Sequence, residues 1–226
     1  MPEVIRLDDP AVTVLLRRSA RARRFTLTVR PGEDAARLTA PAAAPAREAR
    51  LFLERQAEWL RGAMARAPSI EPVAVGSTLP VEGRPVTIRP AARGPCRIDG
   101  DALLAPPTRV GPAVAAFLKT RARDALAPAA HAAAATLGAP IRSITLRDTR
   151  SRWGSCTARG DLSFSWRLAM APPEVLRYVA VHEAAHLLEM NHGPAFWALV
   201  SRLRPGFAAE RAWLRREGAA LHRYRF

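Results

Sequence analysis

The spacing of apolar and polar positions changes several times along the chain, and each change predicts an element. Residues 12–16 and 25–29 are short β-favouring runs, the second alternating Phe25, Leu27 and Val29 against Thr26 and Thr28. Prolines between 41 and 45 interrupt this pattern, and residues 46–66 then read as an amphipathic helix whose core side comprises Leu51, Leu53, Trp59, Leu60 and Met64, closed by Pro68. Residues 73–107 are rich in proline and glycine, with short apolar runs at 86–88 and 102–104 that predict short strands and turns. A second helix is predicted from Pro112 to about Leu137, opening on a proline and ending before Gly138. Residues 141–146 and 161–168 alternate as strands, the latter through Leu162, Phe164, Trp166 and Leu168. Pro172 and Pro173 stop that strand and open a helix running from Glu174 to about Met190, roughly 25 Å at 1.5 Å per residue. Apolar residues cover most of its circumference, which predicts a buried core helix.

Length and composition add boundaries. A chain of 226 residues suits one large domain or two small ones and buries roughly 70% of its unfolded surface. Cys96 and Cys156 are too few for a disulfide framework or a four-cysteine metal site, so a reducing, cytoplasmic setting is expected. The N-terminus carries Glu3, Asp8 and Asp9, and its apolar run at 12–16 is too short for a signal-peptide core. No stretch approaches the ~20 apolar residues of a membrane span, so neither export nor membrane insertion is expected.

The net charge of +15 comes almost wholly from arginine, with Lys119 the only lysine. Such an excess attracts polyanions, although here the arginines are scattered. The cluster at 17–24 reads either as a basic arm for nucleic acid or as a solvated turn between two strands. It lacks the aromatic residues on which bases stack, which favours the turn.

Candidate chemistry concentrates on the last core helix. His182 and His186 lie within it and His192 follows, three of the five histidines in the chain. Residues four apart share a helical face, so two imidazoles can converge on one point with Glu183 beside them. A lone histidine on an apolar helix is ordinarily a hydrogen-bonded core residue; His131, alone on an alanine-rich surface of the second helix, is expected to be structural. Three histidines at relative positions one, five and eleven, with a glutamate at two, match metalloproteases whose third ligand lies just past the helix. Catalytic zinc takes three protein ligands and keeps one position for water. The expected cofactor is therefore zinc, held by His182, His186 and His192, with Glu183 as general base.

The third ligand requires the chain to turn back. Metalloproteases of this spacing use a glycine there, where this chain has Glu189. Asn191 is expected to take the left-handed conformation instead, and Gly193 and Pro194 to prevent continuation, so the helix should end near residues 190–191. Glu210 and Glu217 are rival third ligands, unless they pair with Arg211, Arg215 or Arg216 nearby. The strand at 161–168 is a candidate edge for an extended peptide substrate; its alternation also fits an ordinary core strand.

A longer set of residues surrounds this site: Arg152-Trp153-Gly154-Ser155-Cys156, Gly160-Asp161-Leu162, Trp166-Arg167-Leu168, Pro173, Tyr178-Val179-Ala180-Val181-His182-Glu183-Ala184-Ala185-His186-Leu187, Asn191-His192-Gly193 and Phe196-Trp197. Together they resemble the YgjP-like zinc metallopeptidases, which are related to the SprT-like proteases. Weaker similarity reaches Arg17-Arg18-Ser19, Leu38-Thr39-Ala40-Pro41, Trp59 and Gly76-Ser77-Thr78-Leu79-Pro80, so nearly the whole chain is covered.

The resemblance implies an α+β fold with a minimal zincin-like catalytic portion, a small sheet plus the active-site helix, and an N-terminal β-rich portion. The corresponding domains are residues 1–110, with one helix, and residues 111–226. It also implies a zinc held by the three histidines, peptide or protein as substrate, and a helix exit that needs no glycine. The loop of Arg152, Trp153 and Ser155 either lines the cleft, with Arg152 facing a transition-state anion, or is a packed turn supporting the helix. Cys156 is expected to be a small buried residue, and Phe196 and Trp197 to pack the following helix beneath the metal. Two other readings stand beside the peptidase: a nucleic-acid-associated protein whose zincin domain acts on DNA-bound proteins or serves as a scaffold, and a metal-binding module without activity.

Overall fold

Alternating apolar positions build the sheets of this mixed α+β protein. Its computed structural model describes residues 3–8, 11–29, 35–66, 70–91 and 93–226. The chain divides into two units, Met1–Ile70 and Glu71–Phe226.

The first unit contains β1 (Glu3–Asp8), β2 (Ala11–Ser19), β3 (Thr26–Thr28), β4 (Ala35–Pro41), α1 (Ala46–Arg55) and α2 (Ala57–Arg66). Its sheet has the order β1-β2-β4-β3, with β2 and β4 parallel and the outer pairs antiparallel. Val14 and Leu16 of β2 and Ala36, Leu38 and Ala40 of β4 share a core with Ala49, Leu53 and Leu60. The helix expected at 46–66 is interrupted at Gln56, and its core side differs from expectation. Leu51 and Trp59 are 41% and 45% exposed. Residues two apart do not share a helical face, so a face that buries Ala49 and Leu53 turns Leu51 outward. The arginines at 17–24 occupy the end of β2 and the turn after it, where Arg18 bonds the Glu3 carboxylate and the Ala44 carbonyl.

The second unit begins with β5 (Glu71–Pro72), β6 (Thr78–Val81), β7 (Arg84–Pro90), β8 (Arg97–Asp99) and β9 (Ala102–Ala105). The last four form a sheet of order β6-β7-β9-β8. Its inward residues Leu79, Ile88 and Leu103 join the core that buries Val114, Leu118, Ala122 and Leu126 of α3 (Val110–Leu137). That helix ends, as its sequence predicts, at Gly138 in the left-handed region. His131 is exposed on it.

Next come β10 (Ser143–Arg147), β11 (Gly154–Cys156) and β12 (Asp161–Ser165), then α4 (Pro173–Ala185), α5 (Pro194–Leu203), α6 (Ala208–Glu217) and β13 (Tyr224–Arg225). The three-stranded sheet has the order β10-β12-β11. The strand expected over 161–168 stops at Ser165, and residues Trp166–Met170 form a buried 3-10 turn. Every residue from Phe164 to Ala171 is buried, and a run without an exposed alternate cannot continue as the two-faced strand its first half forms. Because β12 is paired on both sides, it is the centre of its sheet, the core strand of the two arrangements open from sequence and not the candidate edge; β10 and β11 are the edges.

Pro173 opens α4, and residues from Val175 to Ala185 are buried on nearly every side, as expected for a core helix. At the C-terminus β13 pairs with β5, and the buried Arg167 holds this strap. Its guanidinium donates to the carbonyls of Leu221 and Tyr224 at 2.9 and 3.0 Å and to the Asp148 carboxylate at 2.6 Å. Among the described residues no helix is long and apolar enough to cross a membrane.

Candidate metal centre

One helical turn separates His182 from His186, which caps the C-terminus of α4 in right-handed geometry, so the two imidazoles share a face. The helix stops at Ala185, short of the expected 190–191. The N–H groups of Leu187 and Glu189 fold back onto the Ala184 and Ala185 carbonyls, at 3.0 Å each. Nor is Asn191 left-handed: among the described residues the non-glycine positions with positive φ are Glu82 and Arg109. The reversal is made by that tight turn together with two further hydrogen bonds. His186 Nδ1 donates to the Glu189 carbonyl at 2.8 Å, and the Gly193 N–H donates to the Asn191 carbonyl at 2.8 Å.

This return brings His192 back to α4. The Nε2 atoms of His192 and His182 are 3.0 Å apart, and one ligand atom from each of His182, His186 and His192 lies within 4.8 Å of the others. Phe196, fully buried in the first turns of α5, lies beneath all three rings, with centroids 4.4, 4.7 and 4.9 Å from His186, His192 and His182. The Trp197 indole N–H donates to the His192 carbonyl at 3.0 Å, so both aromatic residues support the site from below, as expected.

The electrostatics favour neutral imidazoles, the form able to offer a nitrogen to a metal. Burial, followed by the neighbouring His186 and His192, brings His182 down to about 3, and burial likewise lowers His186. The hydrogen bond from His186 Nδ1 leaves its Nε2 without the proton. Glu183 is only 5% exposed, and burial raises its carboxyl to about 8 against the opposing pull of the Arg152 charge.

These groups open onto a cleft of about 430 Å³, lined also by Arg152, Trp153, Tyr178, Met190 and Leu214. The edge strand β11 forms one wall, and it approaches Glu183 closely. A Cβ built on Gly154 would stand 2.5 Å from both Cγ and Oε1 of Glu183. Only a glycine lets backbone and carboxylate share this space. The loop before β11 combines the two arrangements open from sequence: Arg152, Trp153 and Ser155 all line the cleft, and Trp153 also packs, stacked on His222 with centroids 5.0 Å apart and covered by Gly218.

The rival ligands lie elsewhere. Glu210 accepts from Arg204 at 2.8 Å, a partner not among the arginines expected for it, and Glu217 accepts from Arg216 at 2.7 Å. Cys156 borders the cleft half-buried, its thiol pushed up to about 11 by burial and then by the nearby Glu183 and Asp161 charges. Two contributors were not singled out from sequence, Gly154 for its close approach and Tyr178, whose hydroxyl lies 3.5 Å from His182 Nδ1. The four-residue spacing of Tyr178 and His182 on one helix face was the available signal.

Comparison with known proteins agrees with this geometry at the level of family. The YgjP-like metallopeptidase domain matches residues 23–217. No curated protein matches. Among solved structures, the crystal structure of the metallopeptidase zymogen of Pyrococcus abyssi abylysin aligns with 20% identity and a TM-score of 0.31, covering 46% of this chain and 92% of that one.

Proposed function

The chain belongs to the YgjP-like metallopeptidase family, and from that premise we propose that it is a zinc-dependent peptidase, with His182, His186 and His192 as metal ligands and Glu183 as general base. The observation that carries this reading is the convergence of three imidazole ligand atoms within 4.8 Å beside a buried glutamate. The donor set fits the ion. Zinc–nitrogen bonds of 2.0–2.1 Å in a tetrahedral array set nitrogens about 3.3 Å apart, near the 3.0 Å between His182 and His192. When bound, zinc supplies Lewis acidity toward water and toward a peptide carbonyl.

The remaining chemistry falls to side chains of the protein. Glu183, adjacent to His182, takes a proton from the attacking water as its oxygen bonds to the carbonyl carbon, and returns a proton to the amide nitrogen when the C–N bond breaks. Arg152 at the cleft wall favours the ionised carboxylate that this first transfer needs. The unpaired edge of β11 offers backbone hydrogen bonds to an extended substrate, so the reading favours unfolded segments of polypeptide over folded ones. A cytoplasmic setting accompanies this reading, since Cys96 and Cys156 are both free thiols.

Zinc analysis coupled to turnover of an unfolded protein tests it. Glu183→Gln should bind zinc stoichiometrically and lose about 10² to 10⁴ in kcat, whereas His192→Ala should lose the metal. Undiminished turnover in Glu183→Gln would remove the proposed base. Metal retained by His192→Ala but lost by Glu210→Ala would replace the third ligand.

A further inference from the structure

A second groove, of about 490 Å³, lies across the solvent face of the sheet β10-β12-β11 and shares Arg152, Gly154 and Ser155 with the metal cleft. Its lining follows from strand alternation. On β10 the residues Ile144 and Leu146 turn partly inward, which leaves Ser143, Thr145 and Arg147 exposed. On β12 the partly exposed Asp161 and Ser163 alternate with the buried Leu162 and Phe164. The face is therefore one of hydroxyl and guanidinium groups.

Its charge is cancelled only in part, by the attraction between Arg152 and the Glu183 carboxylate across the junction of the two grooves. Asp161 is already engaged by Arg142 at 2.7 and 2.8 Å and by Ser143 at 2.7 Å. Asp148, next to Arg147 in sequence, turns instead to the buried Arg167. Among the described residues neither Arg147 nor Arg152 makes a salt bridge, and both are exposed. The Thr149 hydroxyl donates to the Arg152 carbonyl at 2.9 Å and shapes the loop that carries Arg152 to the junction of the two grooves.

From this charge balance we propose that the groove binds carboxylate-bearing segments of the polypeptide substrate, with Arg147 and Arg152 as the cationic contacts and the serine and threonine hydroxyls as donors. The assignment rests on the peptidase reading for the identity of its occupant. Guanidinium groups pair with carboxylates through two parallel N–H donors, and hydroxyl groups complete the remaining acceptor positions. A nucleic acid would meet the same charge, but no aromatic residue lines the groove, and single strands gain much of their affinity by stacking bases. Continuity with the metal cleft through β11 suits one polypeptide spanning both.

Two labelled peptides that differ only in an Asp/Glu stretch replaced by Asn/Gln distinguish the outcomes. Binding is read by fluorescence anisotropy on the zinc-loaded Glu183→Gln protein, so that turnover plays no part. At low ionic strength the acidic peptide should bind about tenfold tighter, a preference that shrinks with added salt. Arg147→Gln should abolish most of that preference and Arg147→Glu reverse it, with the neutral peptide's affinity unchanged in both. Equal affinity for the two peptides, or an acidic preference that survives Arg147→Glu, would overturn the proposal. So would a single-stranded oligonucleotide that displaces the acidic peptide and binds more tightly in an Arg147-dependent way, since the occupant would then be nucleic acid. Wild-type cleavage of both peptides at equal kcat/KM would remove the groove's role alone. Failure to cleave either while the acidic one still binds would remove the peptidase reading alone.

Discussion

At the scale of single residues, the site depends on how closely Gly154 and Glu183 approach. The carboxylate is buried between α4 and β11, and its oxygen occupies the place where any larger residue at 154 would put a Cβ. Gly154→Ala must therefore displace the Glu183 side chain from Cγ outward, and the expectation is that the three imidazoles keep their places. The expected outcome is zinc content equal to wild type with kcat lowered about 10²-fold, the cost of misplacing a catalytic group by roughly 1 Å. Zinc analysis beside steady-state kinetics checks it; an unchanged kcat would mean that Glu183 moves freely without consequence. The glycine was visible in the sequence only as part of a motif. Its reason was not, because the neighbour it accommodates is far along the chain and meets it only across a helix–strand contact.

At the scale of elements, the return from α4 to His192 is the piece that turns a helical pair into a cluster of three histidines able to hold a metal. The reversal was foreseen near 190–191 with Asn191 left-handed. Instead the helix stops at Ala185 and the turn is closed by local backbone bonds and by His186 Nδ1 on the Glu189 carbonyl. An imidazole of the candidate ligand set thus also satisfies a carbonyl at the helix end, which removes the need for a left-handed residue. The other end of the return is fixed by the Trp197 indole on the His192 carbonyl. Trp197→Phe retains an aromatic ring, though a smaller one than indole, and removes that donor, a loss of about 1 kcal/mol. It should weaken zinc binding about fivefold, read by competition with a chromophoric chelator, and leave the circular dichroism spectrum unchanged. Wild-type zinc affinity in this variant would show that the return is held without the indole.

At the scale of the whole molecule, the C-terminal strap links the site loop to the core of the second unit. Trp153 stacks on His222, and Arg167 holds the carbonyls of Leu221 and Tyr224. Burial, then the Arg167 charge, brings His222 down to about 4 from 6.5, with Asp148 opposing and Arg150 adding to the shift. Its folded pKa lies below the unfolded one, so the folded state binds fewer protons. The stability it contributes is complete above about 6.5 and is lost as pH falls toward 4. In metal-free protein, thermal unfolding should therefore drop in this window, and drop less for His222→Phe, which preserves the stack without a titrating ring. Parallel curves for the two proteins would assign the acid sensitivity elsewhere. The strands at 71–110 also belong to this scale. They fall in the second unit together with α3, with which Leu79, Ile88 and Leu103 share a core.

Periodicity marked where several helices and strands begin, though not where they stop, and the spacing of His182, Glu183 and His186 marked the candidate site, because a helix repeats every 3.6 residues whatever surrounds it; the approach of His192 depends on the turn after α4. Strand order was decided only in three dimensions. Alternation over 161–165 is the same for a central and an edge strand, and pairing of β10 and β11 on either side of β12 is what leaves β11 as the edge beside α4. The same pairing gathers Arg147 and Arg152 onto one face, while the two nearby acids are taken up by Arg142 and Arg167. Side chains on different strands have no fixed spacing in sequence, and only the sheet that aligns them creates the charge of the groove.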